Sequence, residues 1–230
     1  MKTIGLLGGM SWESTLSYYK AINEGVKKQL GGLHSAQIAL YSVDFDPIEK
    51  LQHEGNWDRT AEILTEAARK VEAAGADFLL IGTNTMHKVA PQIESGINIP
   101  LIHIADATAE VLKSQGIKKV GLLGTAFTME QDFYKGRLID KFGLNVVVPN
   151  AAHRSFIHRV IYEELCLGTV TAAAKDGYLQ IIDRLAADGA EAVILGCTEI
   201  GLLLSQQDTH VRLFDTTAIH AQAAVSASLQ

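Results

Sequence analysis

Apolar residues in this chain fall in short, largely continuous runs rather than in strict alternation. The runs occupy residues 4–9, 36–43, 78–81, 99–104, 120–124, 144–148 and 189–196, with a similar stretch at 211–217. Runs of that length bounded by glycine predict strands buried on both faces. Between them the apolar positions recur at helical spacing: Tyr18, Ile22 and Val26 after a Ser11/Ser14/Thr15 start, Ile63, Ala67 and Val71 within 57–74, and a further helix over 178–187. Strands that alternate with helices predict an α/β architecture with mostly parallel sheets flanked by helices.

The pattern restarts near the middle. VGLLG at 120–124 copies IGLLG at 4–8, GAEAVILG at 189–196 copies GADFLLIG at 75–82, and VRLFDTT at 211–217 resembles IHIADAT at 102–108. From Gly8 to Gly124, Gly82 to Gly196 and Asp106 to Asp215 the offsets are 116, 114 and 109 residues. A repeat of half the chain predicts two pseudo-symmetric lobes. The first is expected to comprise 1–98 plus 211–230 and the second 99–210. Ligands of open α/β sheets bind at the carboxyl ends of the strands. An active site is therefore expected in an interlobe cleft walled by GGMS (8–11), GTNTMH (82–87), GTAFT (124–128) and GCTEIG (196–201).

The repeat sets Thr83 against Cys197. Each follows a glycine at the end of a buried run, and each precedes polar residues, Asn84 and Thr85 in one half, Thr198 and Glu199 in the other. Amides at a helix start just beyond would favour an anion, either a depressed thiol or a substrate carboxylate. Cys197 reads as a reactive thiol. Cys166, before Gly168 at a helix end, reads as structural. His87 is a candidate acid or base, though a single histidine is more often structural. The eight histidines show no metal-ligand spacing. IGLLGGMS lacks the GxGxxG spacing of a dinucleotide loop, and no P-loop occurs.

Composition narrows the classes further. Hydrophobic residues make up 47% of 230, which excludes wholesale disorder, and the net charge of −6 argues against nucleic acid or an anionic membrane as a partner. The N-terminus lacks the apolar core of a signal peptide, and no run approaches the length of a membrane span. A cytoplasmic protein with reduced thiols is expected.

The motifs IGLLGGMS, GADFLLIGTNTMH, VGLLGT and GAEAVILGCTEI together resemble the aspartate/glutamate racemase family over essentially the whole chain. The resemblance implies racemisation without pyridoxal phosphate or any other cofactor and without metal, on a small amino-acid substrate, by a homodimer. Family members use two cysteines, one to remove the α-proton and one to return a proton on the opposite face. Here Thr83 stands at the first cysteine position, and only Cys197 remains. A hydroxyl is a weaker base than a thiolate. The pair is thus expected to be asymmetric, with one enantiomer, the L form, the favoured substrate. The resemblance also assigns Asn84, Thr85 and Thr198 to the α-carboxylate, and Met10, Gln52, Thr125 and Thr128 to the pocket. Glu199 and Asp106 would bind the ammonium or tune Cys197. Family members on acidic substrates often place a basic residue after the second strand; this chain has YSVDFDPIEKLQHEG there, with no Arg and with Gln52 as a neutral substitute. A range wider than aspartate and glutamate is therefore expected. A single cysteine leaves two alternatives open: a decarboxylase or isomerase resembling arylmalonate decarboxylase, and a binder without catalysis.

Overall fold

The computed structural model describes all 230 residues. The chain forms two compact units, Met1–Ile104 with His220–Gln230, and Ala105–Ile219. No helix is long and apolar enough to cross a membrane.

The first unit runs β1 (Ile4–Gly8), α1 (Trp12–Leu30), β2 (Ile38–Ser42), α2 (Phe45–Glu54), α3 (Trp57–Ala73), β3 (Phe78–Ile81), a 3-10 turn (Thr85–Val89) and α4 (Ala90–Ser95). Its sheet is parallel, in the order β2-β1-β3. Every residue of β1 and β3 is buried, as their unbroken apolar runs require. One face is covered by α3, whose Leu64, Ala67, Ala68 and Val71 pack with Leu7, Leu79 and Ile81. The other is covered by Tyr18, Ile22 and Val26 of α1, which meet Ile4, Leu6 and Leu80.

In the second unit, α5 (Ile104–Ser114) leads into β4 (Lys119–Gly124), α6 (Ala126–Glu130), α7 (Asp132–Asp140), β5 (Asn145–Val147), α8 (Ala151–Glu163), a 3-10 turn (Leu165–Leu167) and α9 (Ala172–Ala187). It continues through β6 (Ala192–Gly196), α10 (Ile200–Leu203), a short 3-10 turn and β7 (Arg212–Asp215). This sheet is also parallel, ordered β5-β4-β6-β7. The last helix, α11 (Thr216–Ser228), starts in this unit, and from His220 onward it groups with the first.

Two expectations need correction. The run at 99–104 makes only a single parallel bridge, Leu79 to Leu101, and α5 begins at Ile104. Pro100 has no amide to give a ladder. The segment 211–230 does not go whole to the first lobe. Arg212–Asp215 pairs with Ala192–Leu195 in the second sheet, whereas Ala221, Ala224 and Val225 bury against Ile4, Leu6 and Tyr18. The break between units lies at Ile104/Ala105 rather than 98/99.

Candidate active site

At the carboxyl end of the first sheet, chain geometry is set by small residues and hydroxyls. Gly9 takes a φ of 94°, and a Cβ there would lie 2.3 Å from the Val43 carbonyl oxygen. Ser11 caps α1 by accepting from the Ser14 amide. Thr15 Oγ1 accepts from the Gly9 amide at 2.7 Å and donates to the Ser11 carbonyl at 2.9 Å. Ser14 Oγ donates to the Gly82 carbonyl at 3.1 Å, which ties the first turn of α1 to the residue before Thr83. Ser14 was not legible as a site residue, because its partner lies 68 positions away.

Thr83, Asn84 and Thr85 are all buried beyond β3. His87 Nδ1 lies 2.8 Å from the Thr83 carbonyl. Met10 is buried in one apolar cluster with Ile48, Ile81 and Met86. Gln52 is 1% exposed and shares the inner face of α2 with Ile48. Met10, Thr83, Asn84 and Thr85 thus lie at the ends of β1 and β3, and Gln52 is supplied by α2.

The second unit gathers its candidates at the ends of β4 and β6. Gly124 and Gly196 are register partners, and a Cβ on either would meet a backbone oxygen of the other strand at 2.7 Å. Glycine is required by this close approach. Thr128 lies against both glycines, and its hydroxyl is 3.2 Å from that of Thr125. Thr125 caps α6 by accepting from the Thr128 amide at 3.3 Å. These two threonines therefore have a local structural job.

Cys197 follows at the end of β6 and is 7% exposed. Its Sγ donates to Glu199 Oε2 at 3.0 Å. The same oxygen accepts from Thr198 Oγ1 at 2.8 Å. The hydrogen of Thr198 is thus committed to Glu199 rather than presented to a substrate carboxylate. Tyr178, Leu195, Ile200 and Leu203 belong to the apolar cluster that holds the thiol. Tyr178, unsignalled in the sequence, donates its hydroxyl to the Ile157 carbonyl at 3.2 Å.

The electrostatics reverse one expectation. Helix amides were expected to lower the Cys197 thiol; instead its pKa is raised well above the ordinary thiol value, first by burial and then by the neighbouring Glu199 carboxylate. The helix beyond it, α10, spans only four residues, so its dipole is small. Asp106 is held in ion pairs with α7 and the residue after it. Its carboxylate accepts from Arg137 Nη2 at 2.8 Å and from Lys141 Nζ at 2.6 Å. Burial pushes that carboxyl up, but the two cations outweigh it and hold it below its usual range. Cys166 is half-buried in the turn capped by left-handed Gly168, and neither cysteine is in a disulfide.

Each α/β unit ends its central strands in buried glycine and hydroxyl residues, and the second adds the Cys197 thiol, an arrangement in keeping with a racemase-type enzyme. The chain belongs to the Asp/Glu/Hydantoin racemase family, whose model matches residues 7–224. A Yersinia pestis crystal structure assigned to the Asp/Glu racemases is 55% identical, covers 100% of both chains and superposes with a TM-score of 0.92. An aspartate racemase homologue from Pyrococcus horikoshii is 36% identical over 100% of both chains, with a TM-score of 0.86. The broad specificity amino-acid racemase RacX of Bacillus subtilis is 22% identical over 98% of each chain.

Proposed function

We propose that this protein racemises amino acids without a cofactor, with Cys197 and Thr83 acting on the two faces of one α-carbon. One observation carries the reading: in a chain of the racemase family, the equivalent strands β3 and β6 end in Thr83 and in a Cys197 thiol already hydrogen-bonded to a carboxylate.

The raised thiol needs a proton acceptor before it can act as a base. Glu199 Oε2 is that acceptor. The Sγ–H proton passes to the carboxylate, and the thiolate takes the α-proton of the L enantiomer. Negative charge then develops toward the α-carboxylate, where the Asn84 and Thr85 side chains are the candidate donors. The Thr83 hydroxyl returns a proton to the opposite face and is itself reprotonated from solvent, while the Cys197/Glu199 pair, now carrying one extra proton, releases it to solvent. The reverse direction needs a threonine alkoxide to remove a proton, which is far harder. The L form is therefore the favoured substrate.

The substrate is aspartate, glutamate or a wider set of amino acids. Neutral Gln52, where a basic residue would pair with a side-chain carboxylate, supports the wider set. A charge-assisted hydrogen bond is typically worth about 1.5–3 kcal/mol, so its loss weakens discrimination by roughly one or two orders of magnitude.

The test is loss of the α-proton NMR signal in deuterium oxide, run on L- and D-aspartate, glutamate and a neutral amino acid. Exchange from the L form that disappears in Cys197→Ser is the expected result. No exchange with any amino acid from the intact protein defeats the reading.

A further inference from the structure

Behind the Thr83 strand end, the first unit buries three imidazoles, His87, His103 and His220. Their hydrogen bonds fix the tautomers of two. The Ile104 amide can only donate, and it reaches His87 Nε2 at 3.2 Å. Nε2 is therefore the acceptor, and the single hydrogen of a neutral ring sits on Nδ1, which donates to the Thr83 carbonyl at 2.8 Å. The Ile102 carbonyl can only accept, and it lies 2.7 Å from His220 Nε2. His220 thus donates from Nε2 and accepts at Nδ1 from the Tyr18 hydroxyl at 2.8 Å. His103 lies against His87 with ring centroids 4.4 Å apart and planes tilted by 60°, and His220 meets His87 edge-on at 6.0 Å.

The result is a one-way series of donors. It runs from Tyr18 to His220, from His220 to residue 102, from residue 104 to His87, and from His87 to Thr83. The segment it passes through is itself anchored on β3, where the Ile102 amide donates to the Leu79 carbonyl at 3.0 Å and the Leu79 amide to the Pro100 carbonyl at 2.8 Å. A second proton on His87 would set a donor against the Ile104 amide, so this ring works as a neutral strut rather than as an acid. We infer that His87, backed by His220 and Tyr18, is a positioning residue for Thr83. It grips the Thr83 carbonyl and so fixes the direction in which the Thr83 hydroxyl is presented.

This inference rests on the racemase reading and on the role of Thr83 in it. The two proton transfers can be read separately. Removal and return of the α-proton by Cys197 on one face exchanges deuterium into the L form. Inversion requires Thr83 as well. The experiment measures both from L-aspartate or the best substrate in deuterium oxide, by NMR for exchange and by chiral chromatography for inversion.

His87→Leu is expected to raise the ratio of exchange to inversion about tenfold, the effect of one lost hydrogen bond on a transfer that depends on placement. His87→Asn, whose amide N–H stands where Nδ1–H stood, is expected to restore much of the wild-type ratio. Tyr18→Phe, which removes the first donor of the series, should shift the ratio the same way by less. A merely structural histidine would lower both rates together with thermal stability and leave the ratio alone. An unchanged ratio in folded His87→Leu or in Tyr18→Phe overturns this inference while leaving the racemase reading intact. An intact protein that exchanges no α-proton overturns both.

Discussion

Cys197 lies in a shell of apolar side chains and is hydrogen-bonded to Glu199, whose carboxylate adds to burial in holding the thiol up. That coupling separates two effects of a single substitution. Glu199→Gln removes the negative neighbour that holds the thiol up, and it also removes the proton acceptor. The pH midpoint for alkylation of Cys197 by iodoacetamide is expected to move down, while racemisation falls by about 10²-fold, the usual scale of a lost general base. A midpoint that moves up, or a turnover that is unaffected, would exclude Glu199 as the partner of the thiol. Cys197 was legible as a candidate from its place after a glycine at a strand end. The direction of its shift was not, because burial depends on Tyr178 and Leu203, which the sequence does not mark as its neighbours.

At the scale of elements, β4 and β6 crowd each other closely at Gly124 and Gly196. Gly196→Ala places a methyl 2.7 Å from the Leu123 carbonyl oxygen. Overpacking of this kind typically costs about 1–3 kcal/mol, and a backbone atom cannot swing aside. Urea denaturation should show an unfolding free energy lowered by that amount, seen as a lower midpoint at unchanged slope, and a wild-type midpoint would show that the strands can separate. Both glycines belong to the repeated strand ends that the sequence displays. The run at 99–104 shows the opposite case. Its residues look like a strand, yet Pro100 lacks an amide and the Ile104 amide is drawn to His87, so the ladder stops after one bridge. Hydropathy records burial, not the partner of each backbone group.

For the whole molecule, buried His220 links folding to pH. Burial pulls His220 down from 6.5 to about 4. Between those values the unfolded chain binds the extra proton and the folded chain does not, so stability is full above pH 6.5 and falls as pH drops toward 4. The loss should reach roughly 3 kcal/mol at most, from a shift of this size at about 1.4 kcal/mol per unit. Asp208, held down to about 2 first by Lys175 and then by Ser205, adds its own loss only below pH 4. Denaturation midpoints measured from pH 7 to 4 should fall in the wild type and flatten in His220→Gln; equal slopes would mean that His220 is not the linked group. By itself the sequence determined the α/β class, the half-chain repeat, the family and the equivalence of Thr83 with Cys197, because buried parallel strands must be apolar throughout and glycine must stand where backbones crowd. Only the tertiary structure decided that Arg212–Asp215 joins the second sheet while His220 onward joins the first unit. It alone committed Asp106 to Arg137 and Lys141, and set His87 and His220 in series behind Thr83. Those outcomes rest on pairings between residues up to 202 positions apart, which local pattern cannot encode.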